Sequence, residues 1–252
     1  MNISDKLYKH NFSFLDKNLE ICLIDGDQVS NQIREINYSY LNQSGIDFKE
    51  ILDNKDKYLN STILDIGSHI GIFSHFIHNF IKCDRLIAFE PMDITYKALV
   101  NNVSEKNTMN CVVGDSDKYV STESPRPDNL GMNHVVPNPY LGHDDNYDEE
   151  KEFTQVKQVK IDSLNLKNVD LVKIDVETWE CKVIDGAINT FAEYKPDILL
   201  ELHWEAKKEF LERTVPKLVD IGYNIPFVDP YPRVCHNIKI TNKLKENSWW
   251  EK

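Results

Sequence analysis

The sequence predicts an α/β fold in which a mostly parallel, doubly wound sheet carries helices on both faces. From Ser61 onward, short apolar runs alternate with amphipathic segments, which is the pattern that successive strand–helix–strand units produce. The 252 residues are 41% hydrophobic and 28% charged, a composition typical of a packed globular chain. At this length we expect one domain with a well-buried core.

Residues 1–60 are expected to form an N-terminal cap that is part of the same domain. Phe14-Leu15 and residues 21–24 flank a turn-like Asp16-Lys17-Asn18, which predicts a pair of strands. Residues 29–36 carry apolar side chains at helical spacing, so a short helix should follow the strands.

Residues 61–252 are expected to form the Rossmann-like body of the domain. Its first five predicted strands are residues 62–65, 85–90, 109–113, 169–175 and 196–201. Helices should follow the first, second, fourth and fifth strands, near residues 70–81, 94–103, 178–191 and 206–220. One or two closing strands after Gly222 would complete a sheet of seven strands, with Trp249 and Trp250 docked on the body.

Residues 115–152 interrupt this alternation and are expected to form one long loop. They contain four prolines, two glycines and an acidic cluster between residues 144 and 150, with almost no apolar periodicity. Loops of this length in compact domains are either functional lids or disordered, and we favour a lid that faces the substrate. Residues 153–161 then alternate between apolar and polar side chains, which predicts a half-exposed strand.

The charge balance and the cysteines argue against several classes of protein. A formal net charge of −12 opposes the phosphate backbone of nucleic acid, so no nucleic-acid partner is expected. No apolar run approaches the roughly 20 residues that span a bilayer, so membrane insertion is not expected either. The five cysteines include no C-x-x-C pair, which favours reduced thiols and a cytoplasmic location over a disulfide framework or a zinc ribbon.

The end of the first predicted strand carries a glycine-bearing turn that we interpret as part of a cofactor site. In an open α/β sheet, ligands bind outside the carboxyl ends of the strands. This strand runs into D-I-G-S-H-I-G, where Gly67 allows a tight turn and Gly71 allows the next helix to begin close to the sheet. The spacing is not the G-x-G-x-x-G of dinucleotide sites, which need their central glycine for a pyrophosphate.

These strand ends suit S-adenosylmethionine, which has no phosphate, better than a dinucleotide. Its amino and carboxylate groups can meet Asp65 and the amide groups of the first helix. Glu90, at the end of the second strand, can accept both ribose hydroxyls, and Asp115 can accept a hydrogen bond from the adenine amino group. The predicted cofactor-binding residues are therefore Asp65, Gly67, Ser68, His69, Gly71, Glu90 and Asp115.

Longer segments of the chain resemble the FkbM family of methyltransferases, from about residue 20 to about residue 230. The resemblance is carried by the strings S-T-I-L-D-I-G-S-H-I-G-I-F-S, A-F-E-P, V-K-I-D-S-L, D-L-V-K-I-D-V-E-T-W-E-C-K-V-I-D-G-A and K-P-D-I-L-L-E-L-H-W. It implies a Rossmann-like class I methyltransferase fold with S-adenosylmethionine as methyl donor. It also implies a hydroxyl oxygen as acceptor, often on a sugar or a macrocyclic natural product. The donor would lie at Asp65, Gly67, Gly71, Glu90 and Asp115.

The sequence departs from the pattern of that family in two places. Ser68-His69 stands where the family usually has Ala-Asn, and Thr178 stands where its D-V-E-G string has glycine. Serine and histidine can still line a cofactor turn. The missing glycine lies at the mouth of the expected acceptor site, which leaves the acceptor more open than the reaction.

Methyl transfer to a hydroxyl needs a base or a metal ion, because a sugar hydroxyl is a very weak acid. At the ends of the fourth and fifth strands, Asp175 or His203 is predicted to be the general base, and Glu177 to orient the acceptor. Asp175, Glu201 and His203 could instead hold Mg²⁺ or Mn²⁺ beside the acceptor oxygen. In the structural alternative, Asp175 and Glu177 cap the next helix and His203 packs at a strand end. The candidate catalytic residues are thus Asp175, Glu177, Glu201 and His203.

Three other polar residues have structural interpretations. Lys173 lies inside an apolar strand and is expected at the sheet edge, or with its ammonium group extended into solvent. His75 and His78 are expected to pack or to face solvent, because their spacing is not the i, i+4 pair that binds zinc.

Competing functions share parts of this pattern. A nicotinamide-dependent oxidoreductase would use the same sheet and the acid after the second strand, but it has a different glycine spacing. A non-catalytic protein could keep the fold as a scaffold, since fold alone does not imply function. An RNA methyltransferase is disfavoured by the charge balance. The acceptor is expected to be a small molecule or a glycan.

Overall fold

The computed structural model describes residues 6–43, 45–123, 128–132, 134–136, 154–225 and 236–240. Its strands are β1 (Leu7–Phe14), β2 (Lys17–Ile24), β3 (Thr62–Ile66), β4 (Arg85–Phe89), β5 (Thr108–Met109), β6 (Val112–Val113), β7 (Tyr119–Glu123), β8 (His134–Val136), β9 (Thr154–Val159), β10 (Val169–Ile174), β11 (Asp197–Leu202) and β12 (His236–Ile240). Its helices are α1 (Gln28–Ile36), α2 (Ser39–Gln43), α3 (Phe48–Asp53), α4 (Ile72–Phe80), α5 (Asp93–Val103), α6 (Glu180–Asp185), α7 (Ile188–Tyr194), α8 (Lys207–Glu209) and α9 (Val215–Asp220).

The main sheet confirms the predicted α/β class. In the described part of the chain it has six strands, in the order β12-β11-β10-β3-β4-β5, where the sequence predicts seven. β12 pairs antiparallel with β11, and the other four pairings are parallel. Every residue of β3 is buried, as expected for a central strand with helices on both faces. Trp249 and Trp250 lie outside the described residues.

The register of the parallel strands brings their carboxyl ends to one edge of the sheet. Ile66 of β3 pairs with Phe89 of β4 and with Ile174 of β10. Ile174 in turn pairs with Leu200 of β11. The residues that directly follow these four positions therefore lie at the same edge: Gly67, Glu90, Asp175 and Glu201.

The predicted third strand is divided between two sheets, so that prediction was wrong in part. β5 extends the main sheet beside β4, whereas β6 pairs with β9. Between them the side-chain amide of Asn110 donates to the main-chain oxygens of Glu90 and Pro91, at 2.9 and 3.1 Å. A side-chain bond of this kind competes with strand pairing and leaves no trace in the apolar periodicity.

The segment predicted as one long loop contributes two strands to a second sheet. This sheet has the order β6-β9-β7-β8, and β9 confirms the strand predicted at residues 153–161. β7 pairs with β9 and with β8; pairing across such a distance in sequence is decided by tertiary context. Residues 124–127, 133 and 137–153 lie outside the described part, so the predicted lid stays a prediction.

Two predicted helices are interrupted. The helix predicted over residues 178–191 is divided into α6 and α7 at Gly186, where a Cβ atom would lie 1.8 Å from the main-chain oxygen of Gly114. A π turn at Phe210–Thr214 separates α8 from α9, whose first turn contains Pro216. The proline ring crowds the carbonyl four residues earlier, and a wider turn relieves this contact. No helix in the described part of the chain is long and apolar enough to cross a bilayer.

The strand pair and the helix predicted for the cap are confirmed. β1 and β2 pair antiparallel along their whole length, and α1 begins after Asp27, whose side chain accepts a hydrogen bond from the N–H of Ser30. The side-chain amide of Asn102 in α5 bonds to both the main-chain N–H and the oxygen of Cys22 in β2. Side chains of the cap and of the main sheet belong to one hydrophobic cluster.

A buried histidine joins the cap to α4. The Nδ1 atom of His75 lies 2.6 Å from the hydroxyl of Tyr38, and its Nε2 atom lies 3.0 Å from the main-chain oxygen of Glu20. Burial lowers the pKa of His75 to about 4, so the imidazole is neutral at pH 7. Its Nε2–H group then donates to Glu20, and Nδ1 accepts from Tyr38. His75 therefore has the packing role that was expected, while His78 is exposed.

We predict that His75 makes the fold sensitive to acid. Below about pH 6.5 the unfolded chain takes up a proton on this imidazole, whereas the folded protein does not until about pH 4. The free energy of unfolding therefore falls as the pH drops through this window. Between pH 7 and pH 4.5, the wild type should lose about 2 kcal/mol more than a His75→Asn variant. Urea unfolding at several pH values measures the difference.

The control for this prediction is His78→Asn, which changes an exposed histidine on the same helix. Its pH dependence should match that of the wild type. An equally steep loss of stability in His75→Asn would contradict the prediction.

Candidate functional site

A cavity of about 410 Å³ lies at the carboxyl edge of the main sheet. This volume is within the range of small-molecule sites, roughly 300–1,000 Å³. Residues 129–132 and several residues of the N-terminal cap form part of its wall. The ends of the strands form much of the rest, with residues 67–69, 90–92, 111–113 and 175–177.

The turn after β3 requires glycine at residue 67. Gly67 has a φ of +76°, and a Cβ atom there would lie 1.7 Å from the main-chain oxygen of Asp175. The N–H groups of Gly67 and Ser68 both donate to the main-chain oxygen of Phe89, at 3.1 and 3.0 Å. The turn is therefore held against the ends of both neighbouring strands, and no side chain fits between it and β10.

His69 continues this turn in the left-handed conformation, with a φ of +53°. Histidine, like the asparagine of the family pattern, tolerates this conformation better than most residues. Its N–H donates to Oε2 of Glu90 at 2.8 Å, which ties the turn after β3 to the end of β4. Histidine is therefore compatible with the conformation that this turn adopts.

Glu90 is buried at the end of β4, where three groups bind its carboxylate. Oε2 accepts from His69, and Oε1 accepts from the N–H of Met92 at 3.0 Å and from the hydroxyl of Thr95 at 2.7 Å. Burial raises the pKa of Glu90, while His69 and these donors oppose the rise. Oε2 keeps the greater capacity for a further hydroxyl donor, since it accepts only one of the three bonds.

Lys173 is buried between two carboxylates, so the prediction that it lies at the sheet edge or reaches solvent was wrong. Its ammonium group lies 3.5 Å from Asp65 and 3.2 Å from Asp175, and it donates to the main-chain oxygen of Gly67 at 2.8 Å. Burial lowers the pKa of Lys173, but Asp175 and Asp65 outweigh it and leave the pKa above its usual value. The lysine is therefore a buried cation at the centre of the site.

Three of the seven predicted cofactor-binding residues do not reach the cavity. Asp65 is fully buried beneath the turn, where its Oδ2 accepts from the hydroxyl of Ser74 at 2.6 Å. Gly71 packs under α5, with Leu99 Cδ1 only 2.3 Å from where its Cβ atom would lie. Asp115 is half-exposed and forms an ion pair with Lys182 at 2.8 Å. The four that line the cavity are Gly67, Ser68, His69 and Glu90.

An apolar part of the cavity, next to Glu90, could not be identified from the sequence. Met92 lies two residues after Glu90, Val112 belongs to β6, and Trp179 precedes α6. The last two are far from Glu90 in the sequence, yet all three residues line the cavity. Val135 of β8 lines it as well. These apolar residues and Glu90 line the same cavity, so an apolar ring and a group that donates hydrogen bonds can be bound in it together.

Acids after β10 and near the end of β11 form another part of the wall. Asp175, Glu177 and Glu201 line the cavity, and Nε2 of His203 lies 3.3 Å from Oε2 of Glu177. Burial, Asp175 and Glu201 together raise the pKa of Glu177 to about 8. Burial, followed by Asp175, also raises the pKa of Glu201, and burial lowers the pKa of His203.

Glu177 and Thr178 both have left-handed backbones, with φ of +48° and +78°. Thr178 replaces the glycine of the family pattern, and a β-branched residue is strained in this conformation. No side chain caps α6 at Trp179, so capping by Asp175 or Glu177 is not what positions them. Their side chains are available to the cavity.

Glu180 is a buried residue that the sequence analysis missed. Its side chain is fully buried, and Oε1 accepts from the N–H of Thr178 at 3.1 Å. Burial raises the pKa of Glu180 to about 7. This bond ties the strained turn to the start of α6. The signal in the sequence was the third acid of D-V-E-T-W-E.

One group of three side chains in the described residues has the spacing of a metal site. Asp175, Glu177 and His203 each offer a ligand atom, and the three atoms lie within 4.8 Å of one another. The sequence-based set had Glu201 in place of Glu177. Glu201 shares a hydrogen bond with Asp175 instead.

Known proteins with similar sequences are methyltransferases. A family model described as the methyltransferase FkbM domain matches residues 65–235. A protein of Beauveria bassiana (strain ARSEF 2860) named Methyltransferase 1 is 26% identical over an alignment of 162 residues, and the match covers 57% of this chain. The match spans 65% of the length of that protein.

Two methyltransferases are among the solved structures that match this chain, both with low TM-scores. Methyltransferase FkbM from Methylobacillus flagellatus KT matches with a TM-score of 0.46 and 15% identity, over 84% of this chain and 52% of that one. A precorrin-6y C5,15-methyltransferase from Geobacter metallireducens GS-15 matches with a TM-score of 0.37 and 15% identity, over 76% of this chain and 86% of that one.

We predict that Lys173 is essential for stability. A Lys173→Met variant keeps the length of the side chain but leaves the carboxylates of Asp65 and Asp175 without their buried counter-charge. It should lose about 3–5 kcal/mol of unfolding free energy in urea. Adding Asp65→Asn should recover part of this loss, because it removes one of the uncompensated charges.

The matched control is Lys182→Met, which breaks the half-exposed pair with Asp115. It should cost less than about 1 kcal/mol. Similar losses in the two lysine variants would contradict the role assigned to Lys173.

Proposed function

The chain belongs to the FkbM methyltransferase family, and on this premise we propose that it transfers a methyl group from S-adenosylmethionine to a hydroxyl oxygen of a small metabolite or glycan. One observation carries the proposal. The turn at Gly67 and Glu90 line the same cavity as the acids Asp175, Glu177 and Glu201, which we call the acidic end of the cavity. A donor and an acceptor could therefore meet within it.

The first part of the cavity supports binding of the adenosyl donor. Three hydrogen-bond donors hold Glu90 at the end of β4. There its carboxylate could accept a hydrogen bond from a ribose hydroxyl. The apolar residues Met92, Val112 and Trp179, which line the same cavity, suit the adenine ring. The turn at Gly67 leads into α4, whose first N–H groups suit the carboxylate of the donor.

The acidic end supports removal of the acceptor proton. In the proposed reaction the acceptor oxygen forms a bond to the methyl carbon as the carbon–sulfur bond breaks, and the hydroxyl proton moves to a base. Glu177 suits this role better than the residues ranked first from the sequence. Asp175 is paired with Lys173, and His203 contacts Glu177 but is not among the described residues that line the cavity.

The raised pKa of Glu177 makes it a stronger base than an ordinary carboxylate. His203, beside it, would hold the carboxylate in position. Alignment of the acceptor with the methyl group would supply a further part of the rate enhancement.

We predict that Glu90 is required for donor binding and that Asp115 is not. A Glu90→Gln variant keeps the shape of the side chain but loses the charge, so its affinity for S-adenosylhomocysteine should fall about 10- to 100-fold. Asp115→Asn, at the end of the neighbouring segment and outside the cavity, should change the affinity less than about threefold. Isothermal titration measures both, and thermal denaturation shows that each variant is folded.

The same titration tests the competing functions. Binding of NAD in place of S-adenosylhomocysteine would favour an oxidoreductase and defeat the proposal. Binding of S-adenosylhomocysteine without transfer of labelled methyl to any acceptor would favour a scaffold.

We predict that the rate rises with pH, is half-maximal near pH 8 and reaches a plateau about one pH unit higher. Glu177 must be ionised to accept a proton, and its pKa of about 8 means that the base form is lost as the pH falls below that value. Glu177→Gln should lower kcat about 100- to 10,000-fold and remove this dependence. The assay follows labelled methyl from the donor into the small-molecule, glycan or protein fraction of a cell extract.

A chelator distinguishes catalysis by Glu177 as the base from catalysis by a bound metal ion. Activity that EDTA leaves unchanged supports Glu177 as the base. Loss of activity in EDTA that Mg²⁺ or Mn²⁺ restores would instead assign Asp175, Glu177 and His203 to a metal.

A further inference from the structure

Part of the cavity wall comes from outside the segment that defines the family. The family match begins at residue 65, whereas Gln28, Val29 and Gln32 of α1 line the cavity. Residues further along the cap, such as Leu41 and Ile46, also line it. The turn at Gly67 and the acids of the cavity lie within residues 65–235, whereas α1 lies outside them.

The wall on α1 is built into the fold by contacts with the segment 128–132. The N–H of Gln28 donates to the main-chain oxygen of Asp128 at 3.0 Å, and the side chain of Asn129 donates to Oε1 of Gln28 at 3.3 Å. The carboxylate of Asp27 accepts from the N–H of Leu130 at 3.1 Å while it also caps α1. Helix and segment therefore form one surface, with Gln28 at their junction.

Gln28 and Gln32 lie one helical turn apart, so their side chains share a face of α1. Both are exposed and both line the cavity. A carboxamide can donate and accept hydrogen bonds, as a hydroxyl group can. Two carboxamides side by side can therefore bind neighbouring hydroxyl groups without adding charge.

The charges of the cavity argue against an anionic acceptor. Its described lining residues include four acids, namely Glu90, Asp175, Glu177 and Glu201. Among those same residues, Lys173 is the only lysine or arginine, and it is already paired with Asp65 and Asp175. A phosphate or carboxylate near the reacting oxygen would meet like charges in a partly desolvated space.

We infer that α1 selects the acceptor, and that Gln28 and Gln32 bind an uncharged compound rich in hydroxyl groups. The inference rests on the proposed methyl transfer and deepens it: the family segment supplies the chemistry, and the cap determines which hydroxyl compound reaches it. Gln28 and Gln32 act on specificity and are not part of the donor site.

The test compares a Gln28→Ala/Gln32→Ala variant with Arg34→Ala. Arg34 is exposed on the same helix and is not among the described residues that line the cavity. The probes are labelled S-adenosylmethionine and the small-molecule fraction of a cell extract, and ion exchange then separates neutral from anionic methylated products. Isothermal titration with S-adenosylhomocysteine reports the donor site separately.

We expect the label of the wild type to enter neutral products. In the double glutamine variant this transfer should fall at least about tenfold through a higher KM for the labelled fraction, while affinity for S-adenosylhomocysteine stays within about threefold. Arg34→Ala should match the wild type in both measurements.

Two outcomes would overturn the inference while the proposed function stands. One is label in anionic products, and the other is equal transfer by the double variant and the wild type. Absence of binding to S-adenosylhomocysteine, or of label in every fraction, would instead remove the proposed function, and the inference with it.

Discussion

The ammonium group of Lys173 connects the two parts of the site. It lies between the carboxylates of Asp65 and Asp175 and donates to the main-chain oxygen of Gly67. Burial of either carboxylate without a counter-charge would cost several kcal/mol. Because one cation lies close to both, the chain can place one acid beneath the turn at Gly67 and another in the cavity wall at the same sheet edge. The two halves of the proposed reaction thus depend on a single buried charge.

The backbone around this charge adopts conformations that side chains usually avoid. Gly67 approaches Asp175 so closely that no Cβ atom fits, while Glu177 and Thr178 are both left-handed. The turn at Thr178 is strained, and the buried carboxylate of Glu180 stabilises it through the N–H of that residue. Strain held by surrounding contacts is frequent at sites that must present a side chain in one orientation. Here the presented side chain is that of Glu177.

The fold is of the α/β class with a mostly parallel main sheet, and the sequence predicted it correctly where the signal is local. Alternation of apolar runs predicted the strands of the main sheet, and a hairpin and a helix were predicted for the cap. The partner of Asp115 could not be predicted from the sequence. An acid after a strand suggested contact with adenine, yet its side chain pairs with Lys182, 67 residues further along the chain. The strands β7 and β8 were missed because residues 115–152 have almost no apolar periodicity, and because β7 pairs with β9 across the whole of that segment.

The amino-acid sequence by itself determined the α/β class, the family, the glycine turn at Gly67 and the acid at Glu90. These follow from periodicity over a few residues, from motifs, and from one backbone conformation. Only the tertiary structure decided that Lys173 is buried, that Asp65 lies beneath the turn, and that Glu177 has a raised pKa. Burial and pairing depend on which strands become neighbours, and the free energy of a charged group is set by those neighbours rather than by its own position in the chain.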